Sequence, residues 1–317
     1  MEVLKLSKDE LSKLQNDTKG AENNPAEYFA KIRNNSNDDE LSEIYGYILS
    51  TSNNFPLLAQ TIKEIDKLRH PKNIDDLIDF LMTKTFTEQN ANDIINLKII
   101  CIKAVSNYKS TKCIPALLYC LNDKRGNYKI RFQAAEALGK IGDKNAVDSL
   151  INVVIDEEEK SVYVRESAAA ALGMIGDMRA IDPFLSILEA KKNFLGKFTF
   201  LKERITEALT RMNFNTSKRA VSAFKNALDD DSAQVRINAI ECLMNTDSEE
   251  AYELIKTKLK DNDDEVVKNA VIAMYNLKGK EALFEILKDD SSSNFAIDTA
   301  NEIYLEYEEH PEKEDNV

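Results

Sequence analysis

The chain has 317 residues, 43% hydrophobic and 31% charged, with Gly 9, Pro 6 and no Trp. That is too apolar for a disordered chain and too poor in turn residues for a strand-rich fold, so an all-α protein is expected. Its 42 basic and 55 acidic residues leave a formal charge of −13, which argues against a general binder of nucleic acid or of an anionic membrane.

Residues 1–50 read as an N-terminal helical cap. Amphipathic segments at 3–14, 26–32 and 41–49 are separated by Asn23-Asn24 and by the polar stretch 34–37. The opening MEVLKLSKDELSK has no apolar stretch of secretory length. The apolar run around Ala168 falls well short of the roughly 20 residues of a membrane span. Four cysteines (Cys101, Cys113, Cys120 and Cys242) without a CxxC pair point to a reducing compartment, so a cytoplasmic protein is expected. A repeat solenoid is expected over 51–309, with a polar tail at 310–317. It begins with a degenerate helix pair around 57–68 and 74–81, broken at His70-Pro71 because proline cannot continue a helix.

From about residue 90 the chain repeats itself. When YKIRFQAAEALGKIGDKNAVDSLINVVID from Tyr128 is set above YVRESAAAALGMIGDMRAIDPFLSILE from Tyr163, Arg131 meets Arg165 and Leu138 meets Leu172. Gly139 then meets Gly173, and Gly142-Asp143 meets Gly176-Asp177, all at an offset of 34. The frame runs on through Leu209, Leu243 and Met274 at spacings of 37, 34 and 31. Such a period with a helical apolar pattern is that of stacked helix pairs. In each unit a short first helix, such as the one carrying Ile181, Phe184-Leu185 and Ile187-Leu188, precedes an acidic loop. A second helix follows, with a stripe like Val164, Ala168, Ala171-Leu172 and Ile175. Small alanines let neighbouring helices approach, and Gly176 stands where a helix should stop.

The segment VRESAAAALGMIGDMRAIDPFLSILE over 164–189 resembles the HEAT family, and within it the HEAT-like repeats of phycobilisome-lyase type. Pro115 and Pro183 match the proline that such units carry in their first helix. The resemblance implies a right-handed α-solenoid of about six or seven helix pairs, its second helices lining a concave face that holds a protein partner. It also implies a structural ladder between neighbouring repeats, made by acidic loop residues (Asp123, Asp156, Glu189, Asp231, Asp261, Asp289) and basic ones (Arg131, Arg165, Lys202, Arg236, Lys268). A carboxylate there caps the second helix and pairs with a cation one repeat away, and Asp298 ends the basic series.

Little here suggests catalysis. The two histidines, His70 and His310, each precede a proline, and there is no His-Glu dipeptide of the kind used by deoxyhypusine hydroxylase, a HEAT-repeat enzyme. GKIGDK at Gly139 returns as GMIGDM at Gly173, so it belongs to the repeat and not to a nucleotide site. No catalytic, metal or cofactor residue is assigned, and the cysteines read as buried thiols. The expected function is a non-enzymatic scaffold or adaptor for a protein partner. The alternative is a lyase-like enzyme or accessory acting on a bound cofactor or modified protein. Two segments depart from the repeat. AKKNFLGKFTFLKER over 190–204 interleaves Lys191, Lys192, Lys197, Lys202 and Arg204 with Phe194, Phe198 and Phe200, which makes it the candidate contact site for an anionic partner. From Asp261 onward 16 acidic residues face 5 basic ones, which reads either as a solvated acidic cap or as a docking surface for a basic partner.

Overall fold

The computed structural model describes residues 21–83, 91–189, 199–212, 218–246, 248–289 and 292–309. The expected helix at 3–14, the tail 310–317 and most of the 190–204 segment lie outside them. Among the described residues seventeen α-helices follow one another: α1 (Pro25–Asn35), α2 (Asp38–Thr51), α3 (Phe55–Leu68), α4 (Asn73–Thr83), α5 (Ala91–Asn107), α6 (Ile114–Asn122), α7 (Tyr128–Ile141), α8 (Val147–Ile155) and α9 (Val162–Ile175). They continue as α10 (Ile181–Glu189), α11 (Thr199–Met212), α12 (Lys218–Ala227), α13 (Ala233–Met244), α14 (Glu249–Lys256), α15 (Asp264–Lys278), α16 (Lys280–Lys288) and α17 (Asn294–Glu309). Among the described residues there is no β-strand, and no helix is long and apolar enough to cross a membrane.

The helix ends follow from local chemistry. Asn37 accepts from the Glu40 amide while Glu40 reaches back to the Asn37 amide, a reciprocal cap that starts α2. Ser161, Ser232 and Asp263 cap α9, α13 and α15 through their side-chain oxygens. Gly142 and Gly176 stop α7 and α9 at φ 77° and 70°, left-handed values that a side chain would strain. Asp143 and Asp177 then cap short 3-10 turns that lead into α8 and α10, as the repeated Gly-Asp suggested.

The chain divides into two compact units, Met1–Leu150 and Ile151–Val317. In the first, α1, α3, α5 and α7 stack in one layer and α2, α4 and α6 in the other, each first helix also packing on its own second helix. In the second unit α9, α11, α13, α15 and α17 form one layer, and α10, α12 and α14 the other. That alternation of layers is the α-solenoid expected from the period. The core is the set of facing stripes, with Val164, Ala168, Ala171 and Leu172 of α9 meeting Leu201, Ile205 and Leu209 of α11, all buried. A Cβ added at Gly173 would lie 2.7 Å from the Ala208 Cβ and 2.9 Å from its Cα. The α9–α11 crossing is therefore set by two of the smallest side chains.

Gly173→Ala should destabilise the protein by about 1–3 kcal/mol through overpacking. Gly173→Ala combined with Ala208→Gly should recover part of that loss in thermal or urea unfolding. Unchanged stability of the single variant would show that the helices separate freely.

Candidate functional site

The junctions between helix pairs are polar, and the arginines of the repeat organise them. The Arg131 Nε donates to the Leu121 carbonyl at 2.8 Å, at the end of α6. Arg165 Nη2 donates to the carbonyls of Asp156 and Glu159 just past α8. Arg236 Nη1 donates to the carbonyls of Asp230 at 2.8 Å and Asp231 at 3.3 Å, just past α12. Each arginine thus rises from a second helix to satisfy carbonyls left open at or beyond the end of the first, where a cation also suits the helix dipole. All three are buried, Arg165 at 1% exposure. Burial pulls the Arg165 guanidinium below its ordinary pKa, against the opposing pull of Glu159, Asp156 and Glu157.

Side-chain pairs also cross between successive repeats, among them Lys202 with Asp230, and Arg236 Nη2 with Asp261 Oδ1 at 2.7 Å. Lys258 joins the second pair and also meets Asp229 at 2.9 Å. The carboxylate that reaches Lys202 belongs to Asp230, the neighbour of Asp231, whose own contribution to Arg236 is its carbonyl. The Asp123 and Asp156 side chains accept from the amides of Arg125 and Glu158 in their own loops. The amides of Arg131, Arg165 and Arg236 bond to the carbonyls of the capping residues Asn127, Ser161 and Ser232. In the next two helices that register belongs to Val267 and Ile297, bonded to Asp263 and Ser293. The basic series therefore ends at Arg236, and Lys268 is exposed one position further on. The spacing of 31 that leads to Met274 carries the position of Arg236 to Val267, so Lys268 stands one residue outside the frame.

The second-helix layer of this unit also has a solvent-facing side, and at α9 and α11 it carries aromatic side chains and charges of both signs. Tyr163 and Phe200 are 61% and 67% exposed near the starts of the two helices. Along the same faces a groove of about 110 Å³ is lined by Ala170, Met174, Arg204, Glu207, Ala208 and Arg211. Arg204 Nη1 and Arg211 Nη2 share the Glu207 carboxylate, at 2.7 and 2.8 Å, so two guanidinium groups answer one acid. Burial raises the Glu166 carboxyl, an effect that Arg204 offsets in part.

Of the segment singled out in the sequence, Phe200 stands exposed on this face and Lys202 is engaged with Asp230. Lys191, Lys192, Phe194, Lys197 and Phe198 lie outside the described residues. Tyr163, Met174 and Arg211 were not foreseen. Their signal was present in the helical period, since they occupy the polar side of stripes whose buried side was easy to read. The four cysteines are free and buried. Burial pushes Cys113 and Cys120 up to about 11 and Cys242 to about 12, and Cys101 well above its ordinary value. They are protonated thiols packed as small apolar groups.

A family model for HEAT repeats matches residues 87–162, 114–196, 201–276 and 221–299, together more than half of the chain. No curated protein matches the sequence. Among solved structures, E. coli YibA shares 17% identity over 96% of this chain and 99% of its own, with a TM-score of 0.51. The complex of CpcE and CpcF of phycocyanin lyase from Nostoc shares 23% identity over 73% of this chain and 94% of that one, at a TM-score of 0.44. Human deoxyhypusine hydroxylase shares 17% over 86% and 97%, at 0.37. These likenesses concern the fold alone.

Arg236→Ala should cost about 1–3 kcal/mol, because the carbonyls past α12 lose their donor in a buried place and Asp261 loses its nearest cation. Lys112→Ala, which removes a pair with Asp75 exposed at 65% on each side, should cost under about 1 kcal/mol. Equal losses in urea titrations would contradict the structural role of the buried arginine. In the native protein none of the four thiols should react with a disulfide reagent within minutes, and all four should react once it is unfolded.

Proposed function

The chain belongs to the HEAT-repeat family, and on that footing we propose that it is a non-enzymatic scaffold that binds a protein partner on the solvent-facing side of its second helices. The contact centre is the face of α9 and α11 together with the 190–204 segment. The observation that carries this reading is the exposure of Tyr163 and Phe200 beside the Arg204–Glu207–Arg211 groove. Large aromatic side chains bared on neighbouring helices supply apolar anchors, and arginine beside them supplies direction, the combination in which interfaces concentrate their energy. Lys191, Lys192 and Lys197 add positive charge to the same stretch of sequence, with Phe194 and Phe198 as further anchors, so an acidic segment of the partner is the expected counterpart. The stacked layers suit this role because one face is presented along successive repeats while the core lies on the other side of each helix.

Affinity capture from the native cell, followed by mass spectrometry, identifies the partner. Against it, Phe200→Ala and the double change Lys192→Glu/Lys197→Glu should each weaken binding about fivefold or more. The melting temperature of Phe200→Ala should stay within a few degrees of wild type, since that ring covers little of the core. Wild-type affinity in a folded charge-reversed variant would overturn this placement of the contact. A coloured or stoichiometric small molecule in the purified protein would instead favour a lyase-like enzyme or accessory.

A further inference from the structure

Further along the same layer the arginines give way and acids predominate. On α13, α15 and α17 the residues that share the solvent-facing register are Ile237 and Glu241, then Glu265, Lys268 and Ile272, then Phe295, Asp298, Glu302 and Leu305. Ile272, Phe295 and Leu305 are 37%, 38% and 59% exposed. Among the described residues, the Glu241, Asp298 and Glu302 carboxylates form no hydrogen bond or ion pair. Elsewhere in this unit the carboxylates of Asp230, Asp261, Glu207, Glu249 and Glu285 each meet a lysine or arginine.

We propose that the solvent-facing side of α13, α15 and α17 is a second docking zone, which takes a lysine- and arginine-rich amphipathic segment of a partner protein. Charge complementarity selects the occupant, because among the described residues this face carries Glu241, Glu265, Asp298 and Glu302 against Lys268 and would repel nucleic acid or an anionic membrane. The exposed Ile272, Phe295 and Leu305 select an amphipathic segment over a merely basic one, as they offer apolar contacts that a flexible polycation leaves unused. A cap that served only solubility would need neither those side chains nor Glu241. The Glu241 carboxylate is partly buried beside no cation, and desolvation raises its pKa. With the folded value above the unfolded one, its charge weighs against the fold at neutral pH, and a partner's cation would relieve that penalty. The proposal rests on the second-helix face being the binding side, but concerns other helices and the opposite charge from the contact at α9 and α11.

The test uses the full chain and a fluorescein-labelled peptide, LKKLLKLLKKLLKL, with a scrambled peptide of equal composition as control, read by fluorescence anisotropy at physiological salt. Glu302→Lys and Leu305→Ala should each raise the Kd of the amphipathic peptide about fivefold or more, while the exposed Glu281→Lys on α16 should change it less than about twofold. Glu241→Gln should weaken binding and raise the melting temperature together. Equal effects of Glu302→Lys and Glu281→Lys, equal affinity for the scrambled peptide, or a fall in melting temperature for Glu241→Gln would overturn the proposal. Any of those results alongside a captured partner that depends on Phe200 would leave the scaffold reading standing and remove only this zone.

Discussion

No helix of this protein can bury its apolar stripe by itself, and the rest of the structure depends on the neighbour that covers it. On α9 the stripe of Val164, Ala168 and Leu172 is fully buried although the helix has only fourteen residues. An isolated helix of that length is marginal in water, so its stability comes from its neighbours, α11 foremost among them. Close approach is the condition for this, and it is met at Gly173 and Ala208, where even one added carbon would push the helices apart. Because every repeat meets the same demand, the chain extends by adding layers that each resemble the last.

Stacking creates a second problem at the junctions. The carbonyls at the end of each short first helix point into the region where the next helix begins, and leaving them unpaired in a buried place is costly. Arg131, Arg165 and Arg236 resolve it from the second helix, using a fork of donors that can serve more than one carbonyl. Lys202 and Arg236 extend the arrangement into the following repeat through Asp230 and Asp261. Polar satisfaction at the junction and the register of the stack are therefore linked. Where the register passes to Val267 and Ile297, an apolar side chain stands in place of the guanidinium.

The solvent-facing side of the second helices is freed from both tasks. Its residues neither fill the core nor hold the junctions, so their chemistry varies from helix to helix while the layer beneath repeats. Tyr163, Phe200 and the paired arginines occupy it at one place, and unanswered carboxylates with exposed Ile272, Phe295 and Leu305 occupy it at another. A repeat fold separates the two requirements physically, with stability on the buried side and recognition on the outer one.

The periodicity of the sequence determined the helix pairs, their layers and the glycine stops, because burial repeats wherever the same stripe repeats. The helices at 26–32, 41–49, 57–68 and 74–81 were legible for that reason, down to the break before Pro71. So were the arginines as recurring structural residues, since a charge that returns at every unit belongs to the unit. Only the tertiary structure decided what those charges touch. Asp230 rather than Asp231 reaches Lys202 from the loop past α12, whose path no helical period fixes, and on a helix a shift of one residue turns a side chain by about 100°. Whether Phe200 is bared while Leu201 beside it is buried depends on the same rotation, and a sequence aligned only by its period leaves that angle open until neighbouring helices are packed.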